Sequence, residues 1–185
     1  MGVGSPELAA VVAKSARHER GWTLTELMVV LLISGILAAV AIPTFFGQRS
    51  HANDSAAMER LDAAAGALGN IWAQYQSFPS SFTLAQEITG SDANLQATGG
   101  SQTSGVTPPA PIVVASGNGY AVLGAEGGGL ACLYVAYDET DAGPGGAPGT
   151  WYGVTGYSPS QGSCAVSTSV SPASGWQRSW GAAGA

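Results

Sequence analysis

The chain has 185 residues and a formal net charge of −6, with twelve acids against six bases. Lys and Arg this sparse argue against a nucleic-acid surface, which needs clustered cations against phosphate. Two cysteines and two distant histidines exclude an ordinary four-ligand structural zinc site without recruited carboxylates, and the length fits one domain plus an additional segment.

Residues 1–20 lack a sustained apolar period and hold three of the six bases, Lys14, Arg17 and Arg20, with His18 as a solvated neighbour. From Leu27 to Phe46 the chain then runs twenty residues without a charge. At about 1.5 Å per residue such a run spans a bilayer core of about 30 Å. The basic flank precedes the run and the first acid beyond it is Asp54, so the positive-inside rule places the N-terminus in the cytoplasm and exports everything after Phe46. Glu26 breaks the pattern: a carboxylate at the lip of an apolar span is costly and calls for a partner.

Gly21, Trp22, Thr23 and Glu26 followed by the apolar run form a motif that resembles the N-terminus of type IV prepilins and related pseudopilins. The resemblance covers about Arg20 to Tyr75. It implies that a membrane peptidase cuts between Gly21 and Trp22, that the new N-terminal Trp22 is N-methylated, and that Glu26 guides assembly. The family usually has phenylalanine where this chain has Trp22. Gly35 and Pro43 match a glycine and a proline of many members, and the segment between them is where helix can be lost in an assembled filament. The implied partners are other copies of the chain and related pilins, the prepilin peptidase and methyltransferase, the inner-membrane assembly machinery and the membrane itself. No cofactor and no direct nucleic-acid contact are implied. The same residues admit two other readings, a secretory signal cut after Ala41 and a simple uncleaved anchor.

Loss of residues 1–21 removes three bases and two acids, Glu7 and Glu19, and leaves Arg49, Arg60 and Arg178 against ten acids, or −7. After the apolar run a helical period continues. Leu61, Ala64, Ala65, Leu68, Ile71, Trp72 and Tyr75 fall at steps of three and four, one apolar face of an amphipathic helix. One helix from Trp22 to about Ser77 follows, with residues 22–46 as the membrane and assembly half and 47–77 as the amphipathic half. Pro43 and the glycines at 35, 47, 66 and 69 predict local bending. Phe78-Pro79 ends the helix.

The remainder, 78–185, reads as an exported globular β domain. The spacing of Thr83 and Gln86 predicts a short helix over Leu84–Thr89. Gly90 to Pro111 is rich in Gly, Ser, Thr and Pro and reads as a long loop. Ile112–Ser116 and Tyr120–Gly124 around Gly117-Asn118-Gly119 predict a hairpin. Leu130–Tyr137 and Trp151–Thr155 predict two more strands, and Ser163–Ser167 a short edge segment. The expected fold is α+β and pilin-like: a long N-terminal helix on a small antiparallel sheet. Cys132 and Cys164, an even pair in an exported domain, predict one disulfide.

Asp138, Glu139 and Asp141 ahead of Gly143-Pro144-Gly145-Gly146 form the densest acidic loop. They are a weak calcium candidate without EF-hand spacing, and a solvated turn is the plainer reading. Trp151, Trp176 and Trp180 read as packing for the sheet, with a surface anchor as the alternative for the last two. His51, the one histidine after residue 21, has no nucleophile, zinc or phosphate motif beside it, so no enzyme is expected. The expected function is that of a pilus subunit for adhesion, motility or DNA uptake. The alternatives are a pseudopilin of a type II secretion system and a membrane-anchored or secreted monomeric binding module.

Overall fold

The computed structural model describes residues 21–92, 94–100, 111–128, 131–156 and 164–183. The leader at 1–20, residue 93 and residues 101–110 of the loop before Ile112, and Leu130 and Ser163 lie outside the described residues. The chain divides into two compact units, the first ending at Thr44 and the second running from Phe45 to Ala185.

Helix α1 covers Leu24–Tyr75 and is unbroken through Gly35 and Pro43. In the first unit it is apolar on every side, and its large side chains, among them Leu27, Leu31, Ile36 and Val40, are about half exposed or more. It is long and apolar enough to cross a membrane.

In the second unit the same helix changes character. Ala57, Leu61, Ala64, Ala65, Leu68 and Ile71 are buried, with Leu61 and Leu68 fully so. Burying each leucine contributes about 1.5–3 kcal/mol. The predicted face is therefore correct to Ile71; Trp72 is half-buried against Phe78, and Tyr75 is exposed. The helix ends where Gln76 turns to φ 52°; its backbone N–H closes the last turn on the carbonyl of Trp72 at 2.8 Å, and its side-chain amide donates to the carbonyls of Trp72 at 3.3 Å and Ala73 at 3.5 Å.

Helix α2 spans Ser81–Ser91, longer than expected, because its cap is Ser80, whose hydroxyl accepts from the backbone N–H of Thr83. Five strands follow: β1 Ala97–Gly99, β2 Ile112–Ser116, β3 Tyr120–Glu126, β4 Ala131–Asp138 and β5 Gly149–Gly156. Their order in the sheet is sequential. β2 to β5 are antiparallel neighbours, with Val114 opposite Leu123, Leu123 opposite Val135 and Val135 opposite Tyr152. β1 corrects the expectation of a purely antiparallel sheet, since Ala97 to Gly99 pair parallel to Ile112 to Val114. A parallel neighbour needs a crossover of about a dozen residues, and residues 100–111 separate β1 from β2 in the chain. The three-residue strand carries too little pattern to stand out within the Gly- and Ser-rich stretch read as a loop.

Both faces of the sheet are buried. On one, Ile112, Val114, Leu123, Leu133 and Val135 pack with Leu61, Leu68, Leu84 and Ile88 of the two helices. On the other, Val113, Val122, Cys132, Tyr134 and Ala136 pack with Cys164 and Val166 of an arm, residues 164–177, with Trp151 and Trp176 at its margin. This explains strands that read as unbroken apolar runs instead of alternating. The expected edge strand at Ser163–Ser167 is replaced by that arm. β4 already has β3 and β5 on its two sides, so the partner of Cys132 arrives over the sheet face and not along its edge.

The turn between β3 and β4 seats against α1. A Cβ on Gly128 would meet the backbone of Ser50, 2.7 Å from its Cα, and neither backbone can yield as a side chain would. Gly128→Ala is therefore expected to cost about 1–3 kcal/mol, read as a lower denaturation midpoint with an unchanged m-value. A midpoint within error of the parent would show that this approach is not close.

Candidate functional site

The helix start brings four of the singled-out residues together: Gly21, Trp22, Thr23 and Glu26 line one open recess. Thr23 sits immediately before α1 and Glu26 is its third residue, the spacing of a capping box. The backbone N–H of Thr23 donates to Oε2 of Glu26 at 2.9 Å, and the Thr23 hydroxyl donates to the same oxygen at 2.8 Å. In return the Glu26 N–H donates to Thr23 Oγ1 at 3.2 Å. The carboxylate also lies at the positive end of the helix dipole. Glu26 is thus held through one oxygen, and the other has no partner among the described residues. Thr23-x-x-Glu26 is itself the capping-box pattern in the sequence, so part of the partnership that the carboxylate's position calls for lies within its own turn. Gly35 and Pro43 lie farther along the same helix, away from this recess.

Cys132 and Cys164 form a disulfide, with their Cα atoms 5.6 Å apart and both side chains buried. The arm behind it is held by further bonds. The Tyr134 hydroxyl donates to the carbonyl of Ala165 at 3.0 Å, and Tyr152 and Gln177 exchange backbone bonds of 2.7 and 2.9 Å. Arg178 lies over the Trp151 ring at 3.7 Å. Trp180 opens the short helix α3, Trp180–Ala183, and its indole N–H donates to the carboxylate of Asp62 on α1. Burial first, and then that Asp62 carboxylate, push the Tyr152 hydroxyl above its ordinary range. All three tryptophans pack against the two cores, as the packing reading expects.

The acidic loop is closed on itself. Asp138 is fully buried, and its carboxylate accepts from the N–H of Thr140 at 3.0 Å and of Gly143 at 2.8 Å. Glu139 accepts from the Tyr137 hydroxyl at 2.6 Å. Among the described residues no three His, Cys, Asp or Glu side chains converge as a metal site, so Asp138, Glu139 and Asp141 are not brought together. Asp138 instead staples the turn that follows β4.

Burial, the Glu139 hydrogen bond and its charge push the Tyr137 hydroxyl up to about 12 from 10.0. The folded state therefore holds this proton more tightly than the unfolded chain does. That contribution is present in full below about pH 10 and is lost as pH rises from about 10 through about 12. Tyr137→Phe is expected to flatten the fall in stability across this alkaline window, followed by denaturant titration at each pH. An unchanged slope would remove Tyr137 as its source.

Comparison with known proteins bears on the same residues. A family model described as the prokaryotic N-terminal methylation motif matches residues 16–42. The chain is 34% identical over 123 residues to the type IV wide pilus major component PilA4 of Thermus thermophilus, covering 66% of this chain and 86% of that protein. It is 35% identical over 79 residues to the type IV major pilin protein PilA of Myxococcus xanthus, covering 41% of this chain and 36% of that one. A 52-residue stretch is 38% identical to the type II secretion system core protein G of Klebsiella pneumoniae, covering 28% of this chain and 37% of the relative. No solved structure matches the chain.

Proposed function

The chain belongs to the type IV pilin family, and on that footing we propose that it is a precursor of a structural filament subunit that polymerises into an extracellular pilus. A prepilin peptidase cuts between Gly21 and Trp22 on the cytoplasmic side, and the new amine of Trp22 is N-methylated. The apolar half of α1 holds the subunit in the cytoplasmic membrane, N-terminus inward, until the assembly machinery moves it into the fibre. There, lipid is exchanged for the same apolar half of other copies.

The observation that carries this reading is the first unit of α1. Its large apolar side chains are exposed on every side next to a single capped carboxylate. Such a surface is stable only in lipid or among like helices, because each exposed large side chain forgoes about 1.5–3 kcal/mol of burial. Glu26 then supplies register. Its second oxygen pairs with the Trp22 amine of another copy, and in a low dielectric that attraction offsets part of the cost of burying both charges.

The pseudopilin reading rests on the similarity to the secretion core protein, which is confined to 28% of the chain, whereas the likeness to a pilus component extends over 66%. Electron microscopy of the sheared surface fraction separates the possibilities. Fibres containing this chain support the pilin. Loss of protein secretion on deletion without surface fibres supports the pseudopilin, and a purely monomeric membrane pool supports a binding module.

A further inference from the structure

The second unit carries a groove that none of this uses. It runs between α1 and α2 with a volume of about 440 Å³, and its polar rim is Asn70 and Gln74 on α1 and Gln86 and Glu87 on α2, above a floor of Ala67 and Ile71. Asn70 and Gln74 are one turn apart and so stand on the same face. A second recess of about 210 Å³ shares Glu87 and includes Tyr75 and Thr83. None of the four rim side chains has a hydrogen bond or ion pair to another described residue.

We propose that this α1–α2 groove binds a neutral saccharide. Three carboxamides in one concavity present paired donors and acceptors with no net charge, which match the alternating donor and acceptor faces of neighbouring hydroxyls. Glu87 adds an acceptor reachable from both recesses. No Lys or Arg lines either recess, so a phosphate or sialic acid finds no counter-ion there. The apolar floor and the half-exposed Tyr75 ring suit the C–H face of a sugar ring. The volume lies within the range of small-ligand sites, about 300–1,000 Å³. Each copy carries the whole groove, so this proposal does not depend on polymerisation.

The test uses the full chain purified from membranes in detergent micelles. It is applied to immobilised neutral oligosaccharides ending in glucose, galactose, N-acetylglucosamine or mannose, with sialylated versions alongside. At least one neutral oligosaccharide is expected to be retained. Gln74→Ala and Glu87→Ala are each expected to weaken retention about tenfold, as loss of a ligand hydrogen bond of about 1.4 kcal/mol does. Because both positions are exposed, melting of the variants stays close to the parent, and Glu59→Ala, outside the groove, leaves retention unchanged. The proposal is overturned if no neutral oligosaccharide is retained, if only sialylated ones are, or if both groove variants bind as the parent does. It is also overturned if a photo-cross-linker at Gln74 joins two copies of the chain in the presence of the retained sugar, which would assign the groove to a subunit contact.

Discussion

Cells whose only copy carries Glu26→Gln are expected to process the precursor normally and to show at least about tenfold fewer surface fibres. The substitution is informative because glutamine keeps the capping box: its amide oxygen still accepts from the Thr23 N–H and hydroxyl, the bonds of 2.9 and 2.8 Å that hold the carboxylate. What glutamine removes is the charge. If the free oxygen of Glu26 pairs with the amine of another copy in lipid-like surroundings, leaving that amine unpaired costs about 3–5 kcal/mol. Each 1.4 kcal/mol is a factor of about ten in incorporation. Glu26→Ala is expected to reduce fibres at least as far. Thr23→Ala removes the reciprocal bond to the Glu26 N–H, costs about 1 kcal/mol of helix stability, and is expected to impair fibres much less. The comparison therefore separates the cap from the charge. Normal fibre numbers with Glu26→Gln, or equal loss with Thr23→Ala, would assign Glu26 to the cap alone.

Removing the disulfide has the largest expected effect on the exported unit. The bridge closes a loop between residues 32 apart, for which restriction of the unfolded chain contributes about 3–4 kcal/mol. It also anchors the arm at the point where Cys164 and Val166 cover Val122 and Tyr134. The double variant Cys132→Ala with Cys164→Ala is expected to lose about that much stability in urea, read on the full chain in detergent. The arm keeps other bonds, among them Tyr134 to Ala165, Tyr152 with Gln177 and Val154 with Ser174, and the ladder of the five strands does not run through it, so the sheet itself can still form. A loss below about 1 kcal/mol would mean that packing, not the bridge, holds the arm.

These two sites differ in how far the chain alone reveals them. The apolar run, the amphipathic continuation through Ile71 and strands β2 to β5 are long periodic signals with Gly-rich turns between them, and they stand within about two residues of the expected limits. The disulfide follows from an even cysteine count in an exported domain. The arm, by contrast, has no period at all. It covers the sheet through single contacts such as Val166, so only the unbroken apolar character of β2 to β4 hinted that a second face needed covering. β1 was hidden because three residues in a Gly- and Ser-rich stretch borrow their structure from β2. In α2, Thr83 and Gln86 have capping-box spacing, but Ser80, three residues before Thr83, holds the cap and starts the helix one turn earlier. In the acidic loop, where a solvated turn is the plainer reading, the turn is present but Asp138 is buried instead of solvated. Asp138 has the chemistry of a metal ligand, but its reach to two backbone N–H groups makes it a turn residue.

The most direct measurement is the N-terminus of the mature chain, by mass spectrometry of the N-terminal peptide from membranes and from the sheared surface fraction. A start at Trp22, carrying a methyl group, in both fractions is the predicted result. It would place the Trp22 amine within reach of Glu26 and make the chain a fibre subunit. A start at Ile42 would contradict it, since the exported unit would then leave the cell without the apolar helix or Glu26, and no filament could be built on them.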